Sequence, residues 1–95
     1  MTKIAILDTG IDIYHKRLRK YINFDSSKSF IDQDIKDYLG HGTAIAGIII
    51  YDGLFDDEKK DLQIIVCKIT NEMNFNINVF LKAFKYAIEL KVNII

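Results

Sequence analysis

The chain has 95 residues, 49% apolar and 27% charged, a balance that suits one folded domain at most and excludes disorder. Thirteen Lys plus Arg offset thirteen Asp plus Glu, so the formal net charge is zero and no nucleic acid is expected as a partner. The longest apolar runs, IAGIII at 45–50 and LQIIVC at 62–67, fall far short of the roughly 20 residues that span a bilayer, so no membrane partner is expected.

Met1 leads into an apolar segment without the basic start and small-residue cleavage site of a secretion signal, which points to a cytoplasmic location. Residues 3–7, KIAIL, predict a buried strand that stops at Asp8-Thr9-Gly10, with Asp8 at its C-terminal end. In IDIYHKRLRK, basic and apolar residues mix as on a solvated face, with room for a short helical turn; Asp12 reads as a turn or capping residue and His15 as a surface or turn histidine. YINF at 21–24 reads as a second short strand, and SSKSFIDQDIKDYLG as a polar loop. From His41, helical spacing puts Ala44, Ile45, Ile48 and Ile49 on one side with small Gly42, Ala46 and Gly47 between them, predicting a buried helix that begins at His41. The β-branched isoleucines would also suit a strand. GLFDDEKKD is a charged surface connection, and LQIIVCKI at 62–69 has the length and unbroken apolar character of a central strand. The single cysteine, Cys67, cannot form an internal disulfide and reads as a small buried hydrophobe in a reducing compartment. Val79, Phe80, Ala83, Phe84, Ala87, Ile88 and Lys91 trace the spacing of an amphipathic helix over 79–91, with Lys91 at the end the dipole favours. VNII at 92–95 reads as the opening of a further strand. The order strand, strand, helix, strand, helix, strand start implies an α/β fold with a parallel sheet.

In such sheets, sites gather at the C-terminal ends of strands, where Asp8 sits. A carboxylate there and an imidazole at the start of a later helix can meet over the sheet edge as the orienting acid and the base of a nucleophilic triad. Gly40 and Gly42 leave the His41 ring free of neighbouring side chains.

These residues resemble the subtilisin-like serine peptidases, or subtilases, whose triad runs in the chain order Asp, His, Ser. AILDTGIDIYH is similar to the family's first motif, a strand ending in Asp-Thr-Gly or Asp-Ser-Gly with a His a few residues on. HGTAIAGII is similar to the second, a Gly-rich helix start. The strand and helix ending in KVNII resemble the segment that leads to the family's substrate-lining strand, so the resemblance covers all 95 residues. It implies a partial three-layer, subtilisin-like parallel sheet with helices on both faces. It also implies a serine endopeptidase in which Asp8 orients His41, and His41 serves as general base and acid for attack on a peptide carbonyl. The family's Gly-Thr-Ser motif and its oxyanion Asn have no counterpart in these 95 residues. Residues 1–95 are therefore expected to be the N-terminal portion of a catalytic domain, truncated before the Ser motif and inactive alone. Ser26, Ser27 and Ser29 are expected to be surface residues. Peptides or proteins are the implied substrates of the complete domain, with no cofactor, and secretion of a longer precursor stays open because many members travel behind a signal and propeptide.

Two alternatives come from other classes. ILDTGID also fits the half-site of a dimeric aspartic peptidase using Asp8-Thr9-Gly10, although that fold is nearly all strand and has no place for the helix at 79–91. A non-catalytic remnant or interaction module is the other, and it expects the missing Ser motif. Asp8, Asp12, His15, Asp25 and His41 lack the spacing of a metal site, so no metal is expected. An open sheet edge at VNII would favour self-association or pairing with a missing C-terminal part.

Overall fold

The structure, a computed structural model, describes residues 2–95. In chain order it contains strand β1 (Thr2–Asp8), a one-turn helix α1 (Lys16–Arg19), a two-residue strand β2 (Lys28–Ser29) and helix α2 (His41–Gly47). Helix α2 runs on into a wider π-helical turn over Ile48–Asp52, and a short 3₁₀ turn (Asp56–Lys59) leads to strand β3 (Leu62–Lys68) and helix α3 (Ile77–Glu89). The three strands lie in the order β1-β3-β2, all parallel.

β3 is central, and its side chains supply both cores. Leu62, Ile64 and Val66 point to one face, where they meet Ile4, Ile6, Ile11, Leu18, Ala46 and Ile50. Ile65, Cys67 and Ile69 point to the other, against Ala83 and the half-buried Val79, Phe80, Tyr86 and Leu90. Burial on both faces explains why this strand has no polar alternation. Helices α2 and α3 thus cover opposite faces of a parallel sheet, the three-layer α/β arrangement. Cys67 is fully buried, and burial pushes its thiol up to about 11 against the weaker opposing pull of Lys28.

Four expectations need correction. YINF is not a strand: Ile22 makes a single bridge to Ile64, with Asn23 N–H donating to the Ile64 carbonyl at 2.8 Å, and the chain then turns away. The Asn23 side chain causes the turn, accepting from Ser26 N–H at 3.1 Å. The chain rejoins β3 as β2 at Lys28–Ser29, inside the stretch that reads as loop. The second correction concerns α2, which turns Gly42, Ala46 and Ile50 inward and leaves Ala44 and Ile48 exposed. A Cβ at Gly42 would collide with the Gly10 carbonyl oxygen, so this helix lies against bare backbone and its glycine edge faces the sheet.

The third correction is at the end of α3, which stops at Glu89 and not at residue 91. Lys91 lies past the last turn with φ 57°, its N–H donating to Ile88 at 2.9 Å while Val92 N–H reaches Ala87 at 3.4 Å, the paired bonds of a Schellman cap. At its start, the Asn76 side chain accepts from Asn78 N–H at 2.8 Å and Val79 N–H at 3.3 Å, which sets the first turn two residues earlier than the apolar spacing does. The fourth is the α3 face: Phe84 and Ile88 are exposed, and Val79, Ala83, Tyr86, Ala87 and Leu90 turn to the sheet. At the chain's end, where VNII reads as the opening of a strand, Ile94 makes a single parallel bridge to Ile4 on the edge of β1 and no strand is formed over 92–95.

Candidate active site

β1 carries Asp8 to the C-terminal end of the sheet, and α2 presents His41 as its first residue. The imidazole Nδ1 lies 2.8 Å from Asp8 Oδ1 and 3.0 Å from Oδ2. An ionised carboxylate can only accept, so Nδ1 is the nitrogen that donates, and in the neutral ring Nε2 is the acceptor. Asp8 Oδ1 also accepts from Thr9 N–H at 2.7 Å, which fixes the carboxylate at the strand exit. The acid is the more enclosed partner, its side chain 17% exposed against 48% for the imidazole. An outward-facing imidazole backed by a more shielded carboxylate can exchange a proton with an incoming group.

Beside the pair lies a cleft of about 160 Å³, lined by Asp8 and His41 and by Ile69, Met73, Phe75 and Phe80. Its walls are mostly apolar, with Glu72 the added carboxylate on its rim.

The loop before His41 contributes a second carboxylate, absent from the sequence reading. Asp37 Oδ1 accepts from Thr9 Oγ1 at 2.8 Å, Gly40 N–H at 2.7 Å and Leu39 N–H at 3.1 Å. Its Oδ2 accepts from the N–H and hydroxyl of Thr43 at 2.9 and 2.7 Å. Burial alone would raise this carboxyl, but the bonds from Thr43, Gly40 and Thr9 outweigh it and bring it down to about 2. The helix itself begins after Gly40, whose φ of 98° suits a residue without Cβ. The sequence signal available for Asp37 was local: an Asp three residues ahead of a Gly, just before a helix start, is a turn and cap pattern.

Lys68, the last residue of β3, is fully buried. Its ammonium lies 3.0 Å from Asp32 Oδ2 and 3.7 Å from Asp34 Oδ1, and 4.7 Å from the centre of the Tyr38 ring. A buried cation needs such partners, and these three all come from the loop that carries Asp37. Asp32, for which burial opposes and the bonds from Ser29, Lys68 and Asn71 favour ionisation, is likewise lowered to about 2.

The remaining residues are used locally. Asp12 accepts from Tyr14 N–H at 3.0 Å in a turn, and His15 caps α1 by accepting from Leu18 N–H at 3.3 Å. Ser26, Ser27 and Ser29 are half-buried rather than surface residues. Ser27 Oγ donates to the Asn23 carbonyl at 2.6 Å and accepts from Val66 N–H at 2.8 Å, and Ser29 Oγ donates to Asp32 at 2.6 Å.

The subtilase family model matches residues 1–95. The chain is 33% identical to the major intracellular serine protease of Bacillus subtilis (strain 168), an alignment covering 98% of this chain and 32% of that protein. It is 32% identical to an intracellular serine protease of Paenibacillus polymyxa, with 98% of this chain and 31% of that protein covered. The crystal structure of a lanthipeptide protease superposes with a TM-score of 0.79 at 26% identity, over 98% of this chain and 27% of that one. The chain therefore spans about a third of the length of the curated relatives it matches. A match along the whole sequence, joined to a fold shared with a solved protease, leads to one assignment: this chain belongs to the subtilase family of serine proteases.

Proposed function

We propose that residues 1–95 are the N-terminal portion of a serine endopeptidase catalytic domain, contributing the acid and the base of an Asp-His-Ser triad. The observation that carries this reading is the 2.8 Å contact between Asp8 and His41 at the mouth of an apolar cleft. His41 Nε2 takes the proton of a serine hydroxyl as that oxygen attacks a peptide carbonyl, then returns it to the leaving amine. Asp8 holds the ring in the required tautomer and stabilises the imidazolium that forms between the two transfers. The serine comes from sequence outside these 95 residues. Ser27 and Ser29 are committed to Asn23, Val66 and Asp32, and neither they nor Ser26 lines the cleft beside His41. Peptides or proteins are the substrate class. The names of the two relatives, both intracellular proteases, support a cytoplasmic location for this one.

The alternative of a dimeric aspartic peptidase needs the Asp8 carboxylate to share a proton with a second aspartate. An imidazole holds it instead, in a parallel sheet flanked by helices. The test is a fluorogenic peptide panel with a serine-directed phosphonate, applied to the 95-residue chain and to the complete protein. Turnover and labelling are expected only in the complete protein, with His41→Ala lowering kcat by at least about a thousandfold. Turnover by the short chain that disappears on mutating Ser26, Ser27 or Ser29 would place the active site elsewhere.

A further inference from the structure

We propose that Asp37, acting with Thr9, is a positioning residue that sets the distance between Asp8 and His41, an inference that rests on the catalytic reading of that pair. The donors to Asp37 flank both members. Thr9 follows Asp8 directly, Gly40 precedes His41, and Thr43 closes the first turn of α2. The Thr9 hydroxyl, 3% exposed as a residue, donates to Asp37 and accepts from Gly42 N–H at 2.9 Å, the residue just after His41. The Thr43 hydroxyl likewise donates to Asp37 and accepts from Asp12 N–H at 2.9 Å, reaching back to the β1 exit. One carboxylate and two hydroxyls thus bind the chain just after the acid, at Thr9 and Asp12, to the backbone on each side of the base.

Packing cannot do this work at the same place. Where α2 meets the β1 exit, Gly42 lies against the backbone of Gly10. Two glycines allow close approach but offer no interlocking side chains to oppose sliding of the helix along the sheet. Directional hydrogen bonds supply that resistance. The loop that bears Asp37 is itself fixed, because the buried Lys68 ammonium bonds Asp32 at 3.0 Å and the Asp34 carbonyl at 3.5 Å. Lys68 is also the ladder partner of Asp8. The brace therefore starts and ends on residues registered with the catalytic acid.

Five donors on two oxygens require an ionised carboxylate. Asparagine would keep one acceptor and set its NH₂ against backbone N–H groups. The test uses the complete protease, with kcat expressed per active site titrated by the phosphonate, so that loss of folded protein does not register as loss of rate. Asp37→Asn is expected to lower kcat per site about tenfold or more while KM stays within about twofold, because a misplacement of the base slows proton transfer without changing the cleft. Thr9→Val is expected to act in the same direction, and Thr9→Ser, which keeps the hydroxyl, to recover most of the loss. A kcat per site within about twofold of wild type in both Asp37→Asn and Thr9→Val, or a rise in KM with kcat unchanged, would overturn the proposal. His41→Ala is run beside them: if it too leaves turnover intact, the fault lies in the catalytic reading of the pair, and if it alone abolishes turnover, the fault lies in the brace.

Discussion

The Asp37 carboxylate links the integrity of the site to pH. Its carboxyl has the ordinary aspartate value of 3.8 when unfolded and is held down to about 2 in the fold, so ionisation favours the native state. The corresponding stability is fully present above about pH 4 and is lost as pH falls through about 2. At 1.36 kcal/mol per pKa unit the effect is on the order of 2 kcal/mol as an upper value, since the side chain keeps some contact with solvent. Asp32 adds to the same acid limb in direction, but its side chain is 33% exposed and water screens the pair with Lys68. Urea unfolding at several pH values between 7 and 2 is expected to show this decline, and in Asp37→Asn the decline is shallower and the neutral-pH stability lower. Equal slopes in the two proteins would remove Asp37 as the group responsible.

Among the elements, helix α3 ends on a residue that fits its backbone poorly. Lys91 holds φ 57°, a conformation that costs a side chain with Cβ roughly 1 kcal/mol and costs glycine nothing. Lys91→Gly is therefore expected to stabilise the chain by up to about 1 kcal/mol, read as a higher urea midpoint at unchanged slope, and a lower midpoint would mean the lysine makes contacts that outweigh the strain. The same helix shows how far the sequence could be read. Its existence followed from apolar spacing, as did β1, β3 and the start of α2 at His41, because long periodic runs override local preference. Its inward face did not, because two apolar stripes overlap: Phe84 and Ile88 fit the spacing as well as Tyr86 and Leu90 do, and only the small Ala83 and Ala87 let the sheet approach on one side. YINF departs from the strand its residues predict because one bridge at Ile22 is all that the Asn23 turn permits. Asp8 and His41 were legible from their motifs, and the structure places them in contact. Asp37 and Lys68 were not. Their partners come from segments distant in sequence, and a buried lysine at a strand end has no local pattern to announce it.

At the scale of the whole molecule, the two-sided sheet is covered unevenly. The radius of gyration of 12.3 Å is what a compact chain of this length should have, about 12 Å by the usual scaling. Compactness has not enclosed the free side of β1, however, where Ile4, Ile6, Ile45, Ile49, Phe84 and Ile94 line a groove of about 510 Å³. Further apolar surface stands open on both helical layers, with Ile48 at 54%, Leu81 at 52% and Ile88 at 56% exposure. A chain this short buries a modest share of its surface on folding, and patches of this kind drive association or dye binding when nothing covers them. Beside the groove, β1 is paired on that side only through the bridge at Ile94, so backbone groups add to the tendency of a bare edge to recruit another chain. The 95-residue chain studied alone is therefore expected to bind a hydrophobic dye and to elute at an apparent mass that rises with concentration. Replacing Phe84 and Ile88 by Ser and Thr should weaken both effects while leaving α3 helical by circular dichroism, since both side chains are exposed and neither belongs to the buried core. A cooperative thermal transition of a monomer at every concentration, without dye binding, would show that these residues form a self-sufficient unit despite the open groove, and would favour the interaction-module reading over that of a catalytic portion.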